Sequence, residues 1–194
     1  MSNKIETKDL INLGIFTAIY FVVFFVTCMV GYIPILMPLV PAFCSLIAGI
    51  PFMLFLTKVR KFGMVTLMGT LSSLIMTLTG HPWFIALPSG VVISLLGDLI
   101  MRAGGYQKWK FICLGYIVFS EWTAGLFLSL FVGRESYFAE LRAGYGDAYA
   151  DTLLAITPPW VFPLMVLAAA LGALIGAYLG RSVLKKHFLR AGIL

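Results

Sequence analysis

The chain has 194 residues, of which 61% are hydrophobic and only 11% charged, with a mean hydropathy of +1.00 and a formal net charge of +6. A soluble domain carries roughly 25% charged residues. A water-soluble globular fold is therefore excluded, and so is disorder, which needs more charge and less apolar surface. What remains is an integral membrane protein, organised as one membrane domain over residues 1–194 with no room for a separate soluble catalytic domain.

Residues 10–57 contain no charge. That run is too long for one span of about 20 residues and suits two. Gly31, Pro34, Pro38 and Pro41 mark the break between them. The first span is predicted at residues 10–30 and the second at 42–57. Residues 62–97 are again uncharged and are interrupted at Gly80-His81-Pro82, which predicts spans at 62–79 and 84–101. A fifth span at 111–132 carries one acid, Glu121, and a sixth covers 159–180.

Six spans put both termini on one side. Of the 14 Lys and Arg residues, 12 fall on that side and only Arg134 and Arg142 on the other. The positive-inside rule then places both termini in the cytoplasm of a multi-pass plasma-membrane protein. The excess cations are accounted for by orientation, and no nucleic acid partner is expected. The first span is too long for a signal-peptide core and is taken as retained.

The sequence lacks a GxxxxGK[ST] phosphate loop, an HExxH helix, a CxxC pair and a GxSxG elbow. No catalytic residue, cofactor or metal is expected. Cys28, Cys44 and Cys113, an odd number inside apolar runs, are read as small packing residues. Asp98 and Arg102, at i and i+4, suit a local ion pair.

Candidate binding residues come from three segments. Glu121, with Trp122 beside it, lies near mid-membrane, where an acid by default faces a bundle interior or a wet cavity. His81 and Trp83 sit in the turn between spans three and four and could contact a polar or flat ligand, although an interfacial Trp explains Trp83 equally well. Residues 133–157 form a long acidic connection rich in aromatics, including Tyr137, Phe138, Tyr145 and Tyr149, and are expected to act as an outer lid with a short helix at 135–142. Tyr32 and Trp160 lie on the same outer side and join the candidates. Small residues mark helix contacts: Gly14 and Ala18 on span one, and a ridge of Gly172, Gly176 and Gly180 on span six, expected to pack within the monomer.

The chain resembles the substrate-binding S-components of energy-coupling factor (ECF) transporters, in particular the Trep_Strep / MptD-like group. The resemblance is carried by the opening Lys8-Asp9-Leu10-Ile11 with Gly14 and Ala18, and by the ending Lys185-Lys186-His187-Phe188 with Ala191-Gly192-Ile193. It implies an all-α bundle of six transmembrane helices that captures a vitamin or similar micronutrient from outside in a pocket built by the outer loops. It also implies partners: a transmembrane coupling protein and two ATPase subunits, with the S-component itself hydrolysing nothing. The family's docking motif is Ala-xxx-Ala on the first helix, which Gly14 and Ala18 match with Gly in the first position. Two other classes stay open, a stand-alone transporter or channel with Glu121 as its ion site, and a membrane enzyme on lipid or prenyl substrates using Glu121 and His81.

Overall fold

A computed structural model describes residues 5–190, with side chains as far as Lys185. Lys4 and Ala191-Gly192-Ile193 lie outside the described residues, and so do the side chains of Lys186, His187 and Phe188. Among the described residues the secondary structure is entirely helical. This is what an apolar chain must do where water cannot satisfy its backbone: a helix pairs each N–H with a carbonyl of the same segment.

Helix α1 runs Thr7–Cys28 and passes through two 3-10 turns, Met29–Tyr32 and Pro34–Leu39. The next rod is broken into α2 (Val40–Ile47) and α3 (Gly49–Lys58), so it begins earlier than residue 42. Helix α4 is Met64–Leu78. Then α5 (Trp83–Pro88), a π turn (Ser89–Ile93) and α6 (Ser94–Ala103) form one rod. The π turn directly follows Pro88, which has no N–H to give to the regular ladder. Helix α7 is Trp109–Leu126, with a 3-10 turn to Leu130. Helices α8 (Arg134–Tyr145) and α9 (Asp147–Ile156) follow, and α10 (Val161–Arg190) closes the chain.

Five segments are long and apolar enough to cross a membrane: Thr7–Tyr32, Pro34–Lys58, Trp83–Ala103, Trp109–Leu130 and Val161–Lys185. The apolar helix Met64–Leu78 has 15 residues, a length of about 22 Å against the roughly 30 Å of a bilayer's hydrocarbon. The rods close a ring. Helix α1 packs on α4, α4 on α6, α6 on α7, α7 on α10, and α10 on α2 and α3, which return to α1.

Close backbone approach sets two of these contacts. A methyl group on Gly172, Gly176 or Gly180 would collide with the backbone at Ala42, Leu46 or Gly49, so the glycine ridge of α10 packs inside the monomer against α2 and α3, as expected. Helix α4 meets the α5–α6 rod in the same way, with Gly69 against Ser94 and Gly90 against Ser73. Inside the ring lies an aromatic core that includes Tyr20, Phe24, Phe52, Phe119 and Trp122. Its polar tips are paired: Trp122 Nε1 donates to the Tyr20 hydroxyl at 3.2 Å, and the Tyr116 hydroxyl donates to Ser45 O at 2.5 Å. The Cys28 and Cys44 sulfurs lie 3.6 Å apart as free thiols.

Asp98 does not pair with Arg102. It is fully buried and accepts hydrogen bonds from Gly63 N (2.9 Å), Thr66 N (3.1 Å), Thr66 Oγ1 (2.9 Å) and the Tyr106 hydroxyl. It therefore satisfies the first turn of α4 from a neighbouring helix, where a local N-cap would otherwise be needed. Arg102 lies instead over the Phe62 ring, 4.5 Å from its centroid. Spacing alone could not reveal this, because i, i+4 geometry says nothing about a stronger partner elsewhere in the chain. At the same end Lys61 Nζ donates to Asp9 Oδ2 at 2.6 Å, tying the start of α1 to the α3–α4 connection.

Asp98→Ala should lower stability by about 3 kcal/mol, because orphaning buried donors costs roughly 1–3 kcal/mol each and water relieves part of it. Tyr106→Phe should cost about 1 kcal/mol. Thermal unfolding in detergent measures both, and equal melting temperatures for Asp98→Ala and the parent would show that the carboxylate does not bridge α4 and α6.

Candidate binding site

At the end of the ring away from Lys61 and Asp98, the helices enclose a cavity of about 380 Å³. Its floor is apolar and sulfur-rich, from Phe25, Cys28, Val40, Met76, Leu126 and Phe127. One wall is the Gly31–Tyr32 turn and another the Thr79–Pro82 turn. The roof is α8 with the start of α9, which contributes Tyr137, Glu140, Leu141, Tyr145 and Tyr149. Volumes of about 300–1,000 Å³, apolar walls and a few polar groups are usual for small-molecule sites.

The roof is a helical hairpin rather than the loop with one short helix that the sequence predicts. Gly146, at φ +85°, turns the chain between α8 and α9, a conformation that favours glycine. Arg142 bridges the turn to Asp147 at 3.1 Å and Asp151 at 2.5 Å. Arg134 joins the two ends of the hairpin by donating to the carbonyls of Leu130 (3.1 Å), Leu154 (3.0 Å) and Thr157 (2.6 Å). A separate small core of Met37, Leu130, Phe138, Leu141, Leu153 and Met165 holds the hairpin on the bundle. Two contacts link it to the Gly31–Tyr32 turn. The Tyr149 hydroxyl donates to Gly31 O at 2.6 Å, and the Tyr32 and Tyr145 rings lie 6.0 Å apart, with Tyr149 stacked on Tyr145 at 5.1 Å. Flat aromatic faces therefore ladder along one side of the opening.

Of the residues singled out in the sequence, Tyr32, His81 and Tyr137 line this cavity together with the lid aromatics Tyr145 and Tyr149. Burial pushes the His81 imidazole below the usual histidine range, which keeps it neutral at pH 7, and its buried Nδ1 has no hydrogen-bond partner. A neutral imidazole with a free ring nitrogen can pair with a polar ligand atom. Trp83 and Trp160 are each 66% exposed and stand outside the lining. Trp122 is in the aromatic core, one turn below Leu126 of the floor. Glu121 also lies below the floor, on the partly exposed stripe of α7 with Leu114 and Gly125. Both of its carboxyl oxygens are shielded and have no hydrogen-bond partner. The sequence puts a pocket floor at Glu121 and Trp122, whereas the floor of this cavity lies about one turn above them.

The lining residue that sequence reasoning left out is Glu140. Glu140 is the one acid of the lining among the described residues and sits at the exposed rim. A signal for it existed. Tyr137, Glu140, Leu141 and Tyr145 are spaced at three and four residues, which puts them on one helical face.

Gly14 and Ala18 both lie on the exposed face of α1, and a side chain added at Gly14 meets nothing within 4 Å.

No curated protein and no solved structure matches the chain. Residues 7–190 match a family described as a hypothetical bacterial integral membrane protein, Trep_Strep. With nearly its whole length covered and its helices apolar enough to cross a bilayer, the chain belongs to the Trep_Strep family of bacterial integral membrane proteins.

Proposed function

We propose that the protein is the substrate-binding S-component of an ATP-driven ECF importer, and that it catalyses no reaction itself. The observation that carries this reading is the cavity roofed by the α8–α9 hairpin, at the end of the bundle opposite the basic residues. In the proposed orientation α4 crosses the membrane as the sixth span, both termini are cytoplasmic, and the cavity opens to the outside. Its volume suits a vitamin-sized molecule. The tyrosine ladder suits a flat ring, and Glu140 and His81 suit hydrogen-bonding edges. Transport energy would come from a coupling protein and two ATPase subunits, docked on the exposed small residues of α1.

Native mass spectrometry of the purified protein should reveal a co-purifying small molecule, and titration with it tests the site. Tyr145→Ala and Glu140→Gln should each weaken binding by about 1–2 kcal/mol, or roughly fivefold to 30-fold. Glu121→Gln should leave affinity unchanged, since the floor lies above it. Loss at Glu121 with no effect at Tyr145 and Glu140 would move the site deeper into the bundle.

Docking is tested by Gly14→Leu and Ala18→Leu. Because both positions face outward, each variant should keep its melting temperature and ligand affinity while uptake in cells falls about tenfold or more, as close helix approach is blocked. Unimpaired uptake would remove α1 from the partner surface.

Topology is tested by single cysteines in a background without native ones. A membrane-impermeant reagent on intact cells should label position 147 and leave position 110 unlabelled. The opposite pattern would invert the proposed orientation.

A second reading is favoured by Glu121, whose shielded, unpaired carboxyl is what a proton or cation site of a stand-alone transporter would have. Uptake by the purified protein in vesicles without ATPase subunits, lost in Glu121→Gln, would decide for it.

A further inference from the structure

A second cavity, of about 230 Å³, opens at the basic end of the bundle between the end of α3, the α6–α7 turn and the last turns of α10. Arg60, Arg181 and Lys185 line it, drawn from two distant parts of the chain. Among the described residues no acid is in its wall. Tyr106 forms part of that wall, but its hydroxyl is turned away to Asp98, whose carboxylate is already occupied by Gly63 and Thr66. None of the three cations has a carboxylate within ion-pair distance among the described residues. Two of them are held in place. The Arg181 guanidinium lies 4.4 Å above the centre of the Trp109 ring, and Arg60 Nε donates to Leu56 O at 3.1 Å. Like charges gathered at one cavity repel unless an anion sits among them. Orientation in the membrane needs only that cations lie on this side, not that they converge.

We infer that this cavity holds the phosphate of an anionic phospholipid. The α10 surface beyond the cavity selects a lipid over a soluble phosphate compound. Leu167, Leu171, Leu174 and Tyr178 follow at helical spacing on the face that continues to Arg181 and Lys185. All four are exposed, at 60%, 56%, 36% and 54%. The Tyr178 ring packs edge-on against Trp109 at 5.3 Å, joining the stripe to the cavity wall. A headgroup among the three cations thus leaves an acyl chain lying along an apolar strip of α10. Basic pockets between helices on the cytoplasmic side suit anionic headgroups. The inference does not depend on the import reading.

The test offers the full chain, purified in detergent, phosphatidylglycerol, phosphatidylcholine or inorganic phosphate, and follows retention by native mass spectrometry. Phosphatidylglycerol should be retained in preference to phosphatidylcholine. The double variant Arg181→Gln/Lys185→Gln should lose affinity for it by roughly 30-fold, from about tenfold or less per cation near a membrane surface. Lys108→Gln/Lys110→Gln removes the same charge from this end but outside the cavity, and should change little. If the α10 double variant loses its folded melting transition, Arg60→Gln takes its place, with a loss of about fivefold expected. Equal losses in the cavity and control variants, or no preference between the two lipids, would overturn the site. Displacement of the lipid by millimolar inorganic phosphate would overturn the lipid assignment in favour of a soluble phosphate compound.

Discussion

Inside an apolar slab, a polar group that finds no partner within the protein finds none at all. This constraint explains why the regular structure among the described residues is all helical. It also sorts the side chains. Tyr20 and Trp122 pair with each other, Tyr116 reaches Ser45 O, and Asp98 collects the donors that begin α4. These pairs hold separate helices together at depths where water offers no competition, so each is worth more as a positioning device than at a surface. Against that background two unpaired titratable groups stand out among the described residues, beside the hydroxyls of Thr17, Ser72 and Ser94. His81 Nδ1 is open at the wall of the cavity under the hairpin, and the Glu121 carboxyl is open below it.

Charge separates the two ends of the bundle. The end that carries Lys61, Arg102 and Arg181 is held by Asp9, Asp98 and cation–ring contacts, with its basic side chains in excess. The other end has two arginines, and both are used structurally within the hairpin. Arg134 closes the two ends of the hairpin, and Arg142 spans its turn. That leaves the cavity under the hairpin with tyrosines, Thr79, a neutral histidine and Glu140 among its polar groups. A site of that composition suits a ligand that is flat and offers hydrogen-bond donors, and it disfavours anions.

The parts legible in the sequence are those that depend on local pattern. Uncharged runs gave the rods, and prolines and glycines gave the breaks at Pro34 and Gly80. The glycine ridge of α10 was readable because small residues at every fourth position have one strong use in a membrane. The parts not legible depend on what lies opposite. Trp122 and Glu121 are adjacent in sequence, yet one is sealed in the aromatic core and the other lies on the partly exposed stripe of α7. No spacing rule separates them without knowing which face of α7 meets the ring. Asp98 is similar, because its true partners, Gly63 and Thr66, are more than thirty residues away in sequence. The lid helices escaped full recognition because their apolar faces are short and pack on a small private core.

That private core bears on how a ligand could enter. The hairpin packs mainly on its own core, where Phe138, Leu141 and Leu153 meet Met37, Leu130 and Met165, and Phe127 joins that core to the aromatic core of the ring. Movement of the hairpin would therefore leave the contacts around Phe24, Phe52 and Trp122 intact, in the way that lids are drawn from the less stable parts of a fold. The ties that cross from the hairpin to the Gly31–Tyr32 turn are the Tyr149 hydrogen bond and the Tyr32–Tyr145 ring contact. One hydrogen bond and one ring pair contribute on the order of 1–2 kcal/mol together. Arg134 and Arg142 keep α8 and α9 together as a unit, but Met37, Leu130 and Met165 also hold that unit on the bundle, so opening has to loosen this small core as well as those two ties. A ligand between Tyr32, Tyr145 and His81 would add to the fastening along that edge, because it would touch both the hairpin and the two turns that face it.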